Sequence, residues 1–108
     1  MTPVPARGDI MILDMDPQSG KEIKKRRAVL VISEQAFNTF GLAVVCPITS
    51  TAPRHGFHVP LPTNLKTKGT IMSEQLKSLD YKARNGQVVE KLDPLNTTRV
   101  RQIISTFI

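Results

Sequence analysis

The 108-residue sequence has one cysteine, no tryptophan and two histidines. A single cysteine excludes a disulfide within the chain and a zinc site built from several thiolates, and it fits the reducing cytosol. Only 5% of the residues are aromatic, so the core must rest on aliphatic side chains. No apolar run approaches the length that spans a bilayer, and the first residues lack the apolar segment of a signal peptide. We therefore expect a soluble cytoplasmic protein without membrane contact.

Basic residues outnumber acidic ones by 15 to 9, which gives a formal net charge of +6. Such a charge attracts polyanions, because contacts with phosphates release condensed counterions. The length suits one domain with one core and is too short for two. We expect a single domain over residues 1–108 with a loose tail at residues 1–6.

Apolar runs of strand length fill most of the chain. A first strand begins near Ile10 and ends at Asp16-Pro17, and residues 28–32 form a β-branched run typical of a strand buried on both faces. Residues 34–40 predict a turn or short helix, and the alternation around Val59 predicts an edge strand, where Pro60 is tolerated. Further strands are predicted at residues 42–48, 69–79 and 86–90.

Near the C-terminus the apolar residues no longer alternate as in a strand but recur with the spacing of a helix. Asp93 followed by Pro94 predicts the N-cap and the first turn of that helix. We expect this helix to pack its last residues into the core. Short strands followed by one helix predict a mainly β fold, a small curved antiparallel sheet or barrel with a C-terminal α-helix. The apolar residues on one face of the helix are Val100, Ile103, Ile104, Phe107 and Ile108.

Several short segments occur together in the order and spacing of one known family. On these segments the chain, from about residue 7 to its end, resembles the MazF/PemK/Kid family of bacterial toxins, which cut RNA. The resemblance implies an SH3-like antiparallel barrel that forms a homodimer. The segments are Gly8-Asp9-Ile10, Asp16-Pro17, Gly20-Lys21-Glu22, residues 27–33, Phe37-Asn38, residues 46–50, Gly56-Phe57, residues 74–80 and Ala83-Arg84.

The resemblance implies three catalytic positions. Arg27 matches the catalytic arginine, and a guanidinium gives a permanently charged, bidentate clamp on a phosphate. Thr49 matches a second active-site residue, whose hydroxyl orients a phosphate oxygen. Glu22 matches the acidic residue of a Gly-x-Glu loop and would accept the 2′-OH proton or tether the loop. The group that protonates the leaving 5′ oxygen stays open, because arginine is too weak an acid.

The sequence departs from the family pattern beside these positions. Ala28 replaces the usual proline, and Arg26 replaces the glycine before the catalytic arginine. In one branch of the family a loop histidine stands where this chain has Lys21. That branch also has an arginine where this chain has Met72 and an aspartate where it has Glu74. The catalytic assignments of that branch therefore transfer poorly.

Further residues are candidates for contacts with an unpaired RNA strand, the form in which RNA sequence is most readily read. Among them Phe57 could stack a base, although the core is the commoner place for a phenylalanine. The candidates are Lys24, Lys25, Arg26, Ser50, Arg54, Phe57, Gln75, Lys77 and Arg84.

The three-residue spacing of His55 and His58 suggests a metal site. On a strand, however, their side chains point to opposite faces, and no further cysteine or clustered carboxylate completes a set. We therefore expect no metal and no cofactor, and RNA products that end in a 2′,3′-cyclic phosphate and a 5′-hydroxyl.

The predicted function is a sequence-specific, metal-independent endoribonuclease for single-stranded mRNA, the toxin of a toxin-antitoxin pair, which inhibits translation and growth and binds an acidic antitoxin. Ordinary roles remain for the same residues: a solvated strand start for Arg27, a capping hydroxyl for Thr49 and a surface ion pair for Glu22. Two other functions stay open. One is a non-catalytic nucleic-acid-binding barrel, and the other is a toxin of the same fold that acts on a protein target such as gyrase.

Overall fold

The structure, a computed structural model, describes residues 3–15 and 26–108. The predictions for Glu22, Lys24 and Lys25 lie outside the described residues. No helix in the described ranges is long and apolar enough to cross a membrane. The elements are β1 Asp9–Asp14, β2 Arg26–Val31, α1 Gln35–Asn38, β3 Leu42–Thr49, β4 His58–Pro60, β5 Thr70–Met72, a 3₁₀ turn Ser73–Gln75, β6 Lys77–Asp80, β7 Gln87–Lys91 and α2 Pro94–Ser105.

The strands form one seven-stranded antiparallel sheet in the order β4-β5-β3-β2-β1-β7, with β6 paired to β3. The long strand β3 contacts β2, and it also pairs with β6 near its start and with β5 at its end. The prediction of a mainly β fold with one C-terminal helix is confirmed. Pro60 lies on β4 at the edge of the sheet, as expected.

Apolar side chains cover both faces of the central strands. Ile10 of β1 and Leu30 of β2 belong to the cluster that contains Val100 and Ile104 of α2. The neighbouring residues along the same strands, Met11 and Val29 among them, join a second cluster around Tyr81. Because both faces are covered, β2 is buried on two sides, as its β-branched run predicts.

Helix α2 begins where the sequence predicts it. The side chain of Asp93 accepts a hydrogen bond from the backbone N–H of Asn96 at 3.0 Å, and Pro94 occupies the first turn. The prediction for the last residues is wrong, because the helix ends at Ser105 and Phe107 and Ile108 are 42% and 82% exposed. Their apolar side chains therefore lie at the surface.

Candidate active site

Arg27 and Thr49 lie on neighbouring strands, Arg27 near the start of β2 and Thr49 at the end of β3. The last paired positions of this ladder are Val29 with Pro47. Arg27 and Thr49 each lie two residues beyond this last pair, on their respective strands. The two residues that the family resemblance singled out are therefore brought together by the fold.

Both residues line one pocket of about 290 Å³. Its wall carries a guanidinium, hydroxyl groups and an ammonium, so it has the chemistry to hold a phosphate. The side chain of Arg27 is exposed. The lining residues in the described part of the chain are Arg26, Arg27, Ala28, Ile48, Thr49, Ser50 and Lys68.

Strand β5 fixes the position of Thr49 from its other side, through the pair Thr49–Thr70. Gly69, which precedes this pair, has a φ of +132°, and a Cβ atom there would lie 2.1 Å from the carbonyl oxygen of Thr49. Only glycine permits this approach. The Thr49 hydroxyl is 3.3 Å from the hydroxyl of Thr51 and accepts a 3.4 Å hydrogen bond from its backbone N–H.

Lys68 is a pocket residue that the sequence analysis missed. Its ammonium donates hydrogen bonds to the carbonyl oxygens of Thr63 at 2.9 Å and Leu65 at 2.7 Å, which fold the loop back on itself. Lys68 directly precedes Gly69, the glycine that packs against Thr49. Its position next to this glycine is the one sequence signal that could have identified Lys68 as a pocket residue.

Glu90 of β7 holds the same loop. Its carboxylate accepts hydrogen bonds from the backbone N–H groups of Lys66 at 3.0 Å and Thr67 at 2.6 Å, and from the Thr67 hydroxyl. The bond from the Thr67 hydroxyl is the main cause that lowers the pKa of Glu90. The loop that carries Lys68 is thus anchored to a neighbouring strand.

Arg26 and Arg84 use their guanidinium groups within the protein. Arg26 forms a 2.9 Å ion pair with Asp14 and donates to the carbonyl oxygens of Ile12 and Asn85. Arg84 donates to the carbonyl oxygens of Asp14 at 3.1 Å and Met15 at 2.7 Å. Both were candidates for RNA contacts; the structure gives them structural bonds, although Arg26 also lines the Arg27 pocket.

A second pocket, of about 470 Å³, adjoins the first, since Thr49 lines both. It brings together two of the predicted RNA-contact residues, Arg54 and Gln75. The lining residues in the described part of the chain are Thr49, Thr51, Arg54, His55, His58, Met72, Glu74 and Gln75.

The sequence analysis rejected a metal site at His55 and His58 because their side chains would point to opposite faces of a strand. The structure shows that this reason is wrong. His55 lies in the turn before β4, so its side chain does not alternate with that of His58, and the two ring centroids are 3.9 Å apart. The carboxylate of Glu74, from the 3₁₀ turn, lies within 3.1 Å of His58 and 3.6 Å of His55. Desolvation opposes ionisation of Glu74, but hydrogen bonds from its own backbone and from His58 outweigh this effect and lower its pKa.

Two further candidates among the described residues, Phe57 and Lys77, do not line either pocket. Phe57 is 40% exposed rather than buried in the core, and its ring makes edge contacts with Phe107 and His55. Lys77 is exposed on β6, opposite Val45 of β3.

Cys46 is buried, and its sulfur lies 4.0 Å from the carbonyl oxygen of Ser73. Burial, followed by the charge of Glu74, raises the pKa of its thiol to about 12. A thiol with this pKa stays protonated at neutral pH. The chemistry of the two pockets therefore rests on other groups.

The family model described as "PemK-like, MazF-like toxin of type II toxin-antitoxin system" matches residues 6–108. The chain belongs to this family. It is 34% identical over 107 residues to endoribonuclease PemK of Escherichia coli, a match that covers 94% of this chain and 80% of PemK. It is 40% identical over 83 residues to the endoribonuclease toxin ChpB of Escherichia coli K12, with 72% of each chain covered.

Solved structures agree with this assignment. The chain matches a structure of MazE-MazF from Deinococcus radiodurans with a TM-score of 0.90 and 32% identity, covering 97% of this chain and 96% of that one. A mycobacterial endoribonuclease in complex with its cognate antitoxin shares the fold, with a TM-score of 0.77 at 17% identity and coverage of 94% and 92%. The expected family and fold are therefore confirmed.

Proposed function

We propose that this chain is an endoribonuclease, the toxin of a type II toxin-antitoxin pair, that cuts single-stranded mRNA in the cytoplasm at a short sequence without a metal. The observation that carries the proposal is that Arg27 and Thr49 line the same pocket, of about 290 Å³. The names of the relatives PemK and ChpB supply the reaction class.

In the proposed reaction, the 2′-oxygen of a ribose attacks the adjacent phosphorus and the 5′-oxygen of the next nucleotide leaves, which gives a 2′,3′-cyclic phosphate and a 5′-hydroxyl. Arg27 would hold two phosphoryl oxygens and stabilise the charge that develops on them. Thr49 would donate its hydroxyl to one oxygen and keep the phosphate in line. Lys68 adds a positive charge to the same pocket. Glu22 remains the proposed acceptor of the 2′-OH proton.

The second pocket extends the proposed groove beyond Thr49. Arg54 would contact a neighbouring phosphate, and Gln75 would present its amide to a base edge. The partly exposed ring of Phe57 is available to stack a base beyond His55. We assign Ser50 to the scissile phosphate, since it lines the Arg27 pocket.

An acidic antitoxin is the proposed protein partner. The net charge of +6 and the basic pocket favour an occupant rich in carboxylates, which would compete with RNA phosphates. We also propose a homodimer, which the exposed apolar side chains at the surface, such as Phe40, Leu95 and Ile108, would help to stabilise. Light scattering at several protein concentrations tests this proposal directly.

The test combines purified protein, a chelator and a long unstructured RNA, and maps the cut sites and the chemistry of the new ends. Arg27→Ala is compared with Arg99→Ala, which removes an exposed arginine of α2 outside both pockets. We expect cuts at one short sequence with cyclic-phosphate ends, retained by the Arg99 variant and lost in the Arg27 variant. RNA that is bound but uncut would favour a non-catalytic binding protein, and RNA that is neither bound nor cut would favour a toxin with a protein target.

A further inference from the structure

His55, His58 and Glu74 converge in the second pocket, and one atom from each lies within 4.8 Å of the other two. The Nε2 atom of His58 is 3.1 Å from Oε2 of Glu74, and that of His55 is 3.6 Å from the same oxygen. Two imidazoles and one carboxylate are the ligand set of a common type of zinc site, with a fourth position left for water.

Two of the three separations between these ligand atoms are compatible with that metal. Zinc bonds of 2.0–2.1 Å in a tetrahedron place neighbouring ligand atoms about 3.3 to 3.4 Å apart. The two measured separations, 3.1 and 3.6 Å, lie on either side of this value. We propose that His55, His58 and Glu74 form a Zn²⁺ site, with one nitrogen of each imidazole and a carboxylate oxygen as its ligands.

The scaffold holds two of the three ligands firmly. His58 pairs with Met72 across β4 and β5, and Glu74 follows two residues later in the 3₁₀ turn. The side chain of His58 is only 7% exposed, whereas those of Glu74 and His55 are 30% and 43% exposed. The site therefore has a fixed inner side and an outer side open to an entering ion.

The hydrogen bonds of the rings predict what zinc binding changes. Nδ1 of His58 accepts the backbone N–H of Arg54, and Nδ1 of His55 accepts that of Phe57, both at 3.2 Å. Each neutral ring therefore carries its proton on Nε2, facing Glu74. Zn²⁺ binds an unprotonated ring nitrogen, so binding through Nε2 requires the tautomer with its proton on Nδ1; the two backbone N–H groups then lose their acceptors and turn away from the rings. The turn at residues 54–56 is exposed, so water can replace them.

This inference rests on the geometry of the three ligands and does not depend on the proposed ribonuclease activity. The site is separate from Arg27 and Lys68, and we assign it no step in cleavage.

The test is a titration of the chelator-treated full chain with ZnCl₂, followed by calorimetry and by NMR. His55 and His58 are the only histidines in the sequence, so their ring signals are unambiguous. We expect one Zn²⁺ per chain, shifts of both ring signals, and shifts of the Arg54 and Phe57 amides. His55→Gln and Glu74→Gln should each weaken binding by at least about tenfold, the scale of losses at metal sites.

Two control variants keep the test specific. Glu34→Gln removes an exposed carboxylate outside the pocket, and Cys46→Ser removes the buried thiol; both should bind Zn²⁺ like the parent chain. Thermal unfolding of each variant without metal checks that it is folded. The proposal is overturned if the parent chain shows no 1:1 binding, or if folded His55→Gln and Glu74→Gln bind as tightly as the parent.

Discussion

Asp14 and Arg26 face each other as register partners of β1 and β2, and Nη1 of Arg26 lies 2.9 Å from Oδ1 of Asp14. The amide of Asn85 donates to the other carboxylate oxygen at 2.9 Å. These bonds join the residues that precede and follow residues 16–25, the stretch that carries Glu22. The strand ends on either side of that stretch are therefore held to each other by an ion pair and to Asn85 by a hydrogen bond.

Asp14→Asn should lower the free energy of unfolding by about 1 to 2 kcal/mol, because it weakens bonds between a largely buried carboxylate and a half-exposed guanidinium. Urea denaturation measures the change. Glu34→Gln is the matched control, since Glu34 pairs with Arg7 at 3.6 Å in a far more exposed setting and should cost less than about 0.5 kcal/mol. Equal losses in the two variants would contradict a structural role for the Asp14 pair.

Gly69→Ala should destabilise the protein and reduce RNA cleavage together, because the new Cβ would collide with the carbonyl oxygen of Thr49. Gly41→Ala is the control: Gly41 also has a positive φ, of +105°, but has open space around it. The control should lose about 1 to 2 kcal/mol from backbone strain alone and keep its activity. Thermal unfolding and a cleavage assay, run on both variants, separate strain from displacement of Thr49.

Arg27→Lys should cut RNA about 100-fold more slowly than the parent chain or worse, because an ammonium keeps the charge but loses the bidentate geometry. Thr49→Val removes the hydroxyl at nearly constant volume and should show a similar loss in kcat. Thr98→Val, on the exposed face of α2, is the control for the second change. Single-turnover rates at saturating protein test both variants, and a Thr49 variant with unchanged kcat would remove that hydroxyl from the mechanism.

The sequence allowed most of the strands and the capped helix to be predicted, because period and capping residues are local signals, and the family spacing pointed to Arg27 and Thr49, which line one pocket. The strand predicted at residues 69–79 is instead divided into β5 and β6 by the 3₁₀ turn. The sequence did not allow the cluster at Glu74 to be predicted. That cluster depends on a turn that takes His55 out of the strand period and on the pairing of His58 with Met72, which is a contact between distant segments. Lys68 was missed for the same reason, since a loop's path carries no period.

Glu90 predicts a pH dependence of stability, because hydrogen bonds from Thr67 hold its pKa below the ordinary glutamate value in the folded state. A lowered folded pKa means that this stabilisation is complete above the unfolded pKa of about 4.3 and is lost as the pH falls through the folded pKa. Glu90→Gln should therefore be less stable than the parent at neutral pH, and the difference should shrink in acid.

Urea denaturation at neutral pH and at several values below about pH 4.3 measures this difference. The control is to make Glu90→Gln in a chain that already carries Thr67→Val. Thr67→Val removes the hydroxyl that is the main cause of the lowered pKa of Glu90, so the pH-dependent part of the Glu90→Gln effect should be smaller in that chain. Since this carboxylate anchors the loop that carries Lys68, cleavage by Glu90→Gln should also weaken at neutral pH. A Glu90 variant with the stability profile of the parent at every pH would show that the loop is held by other contacts.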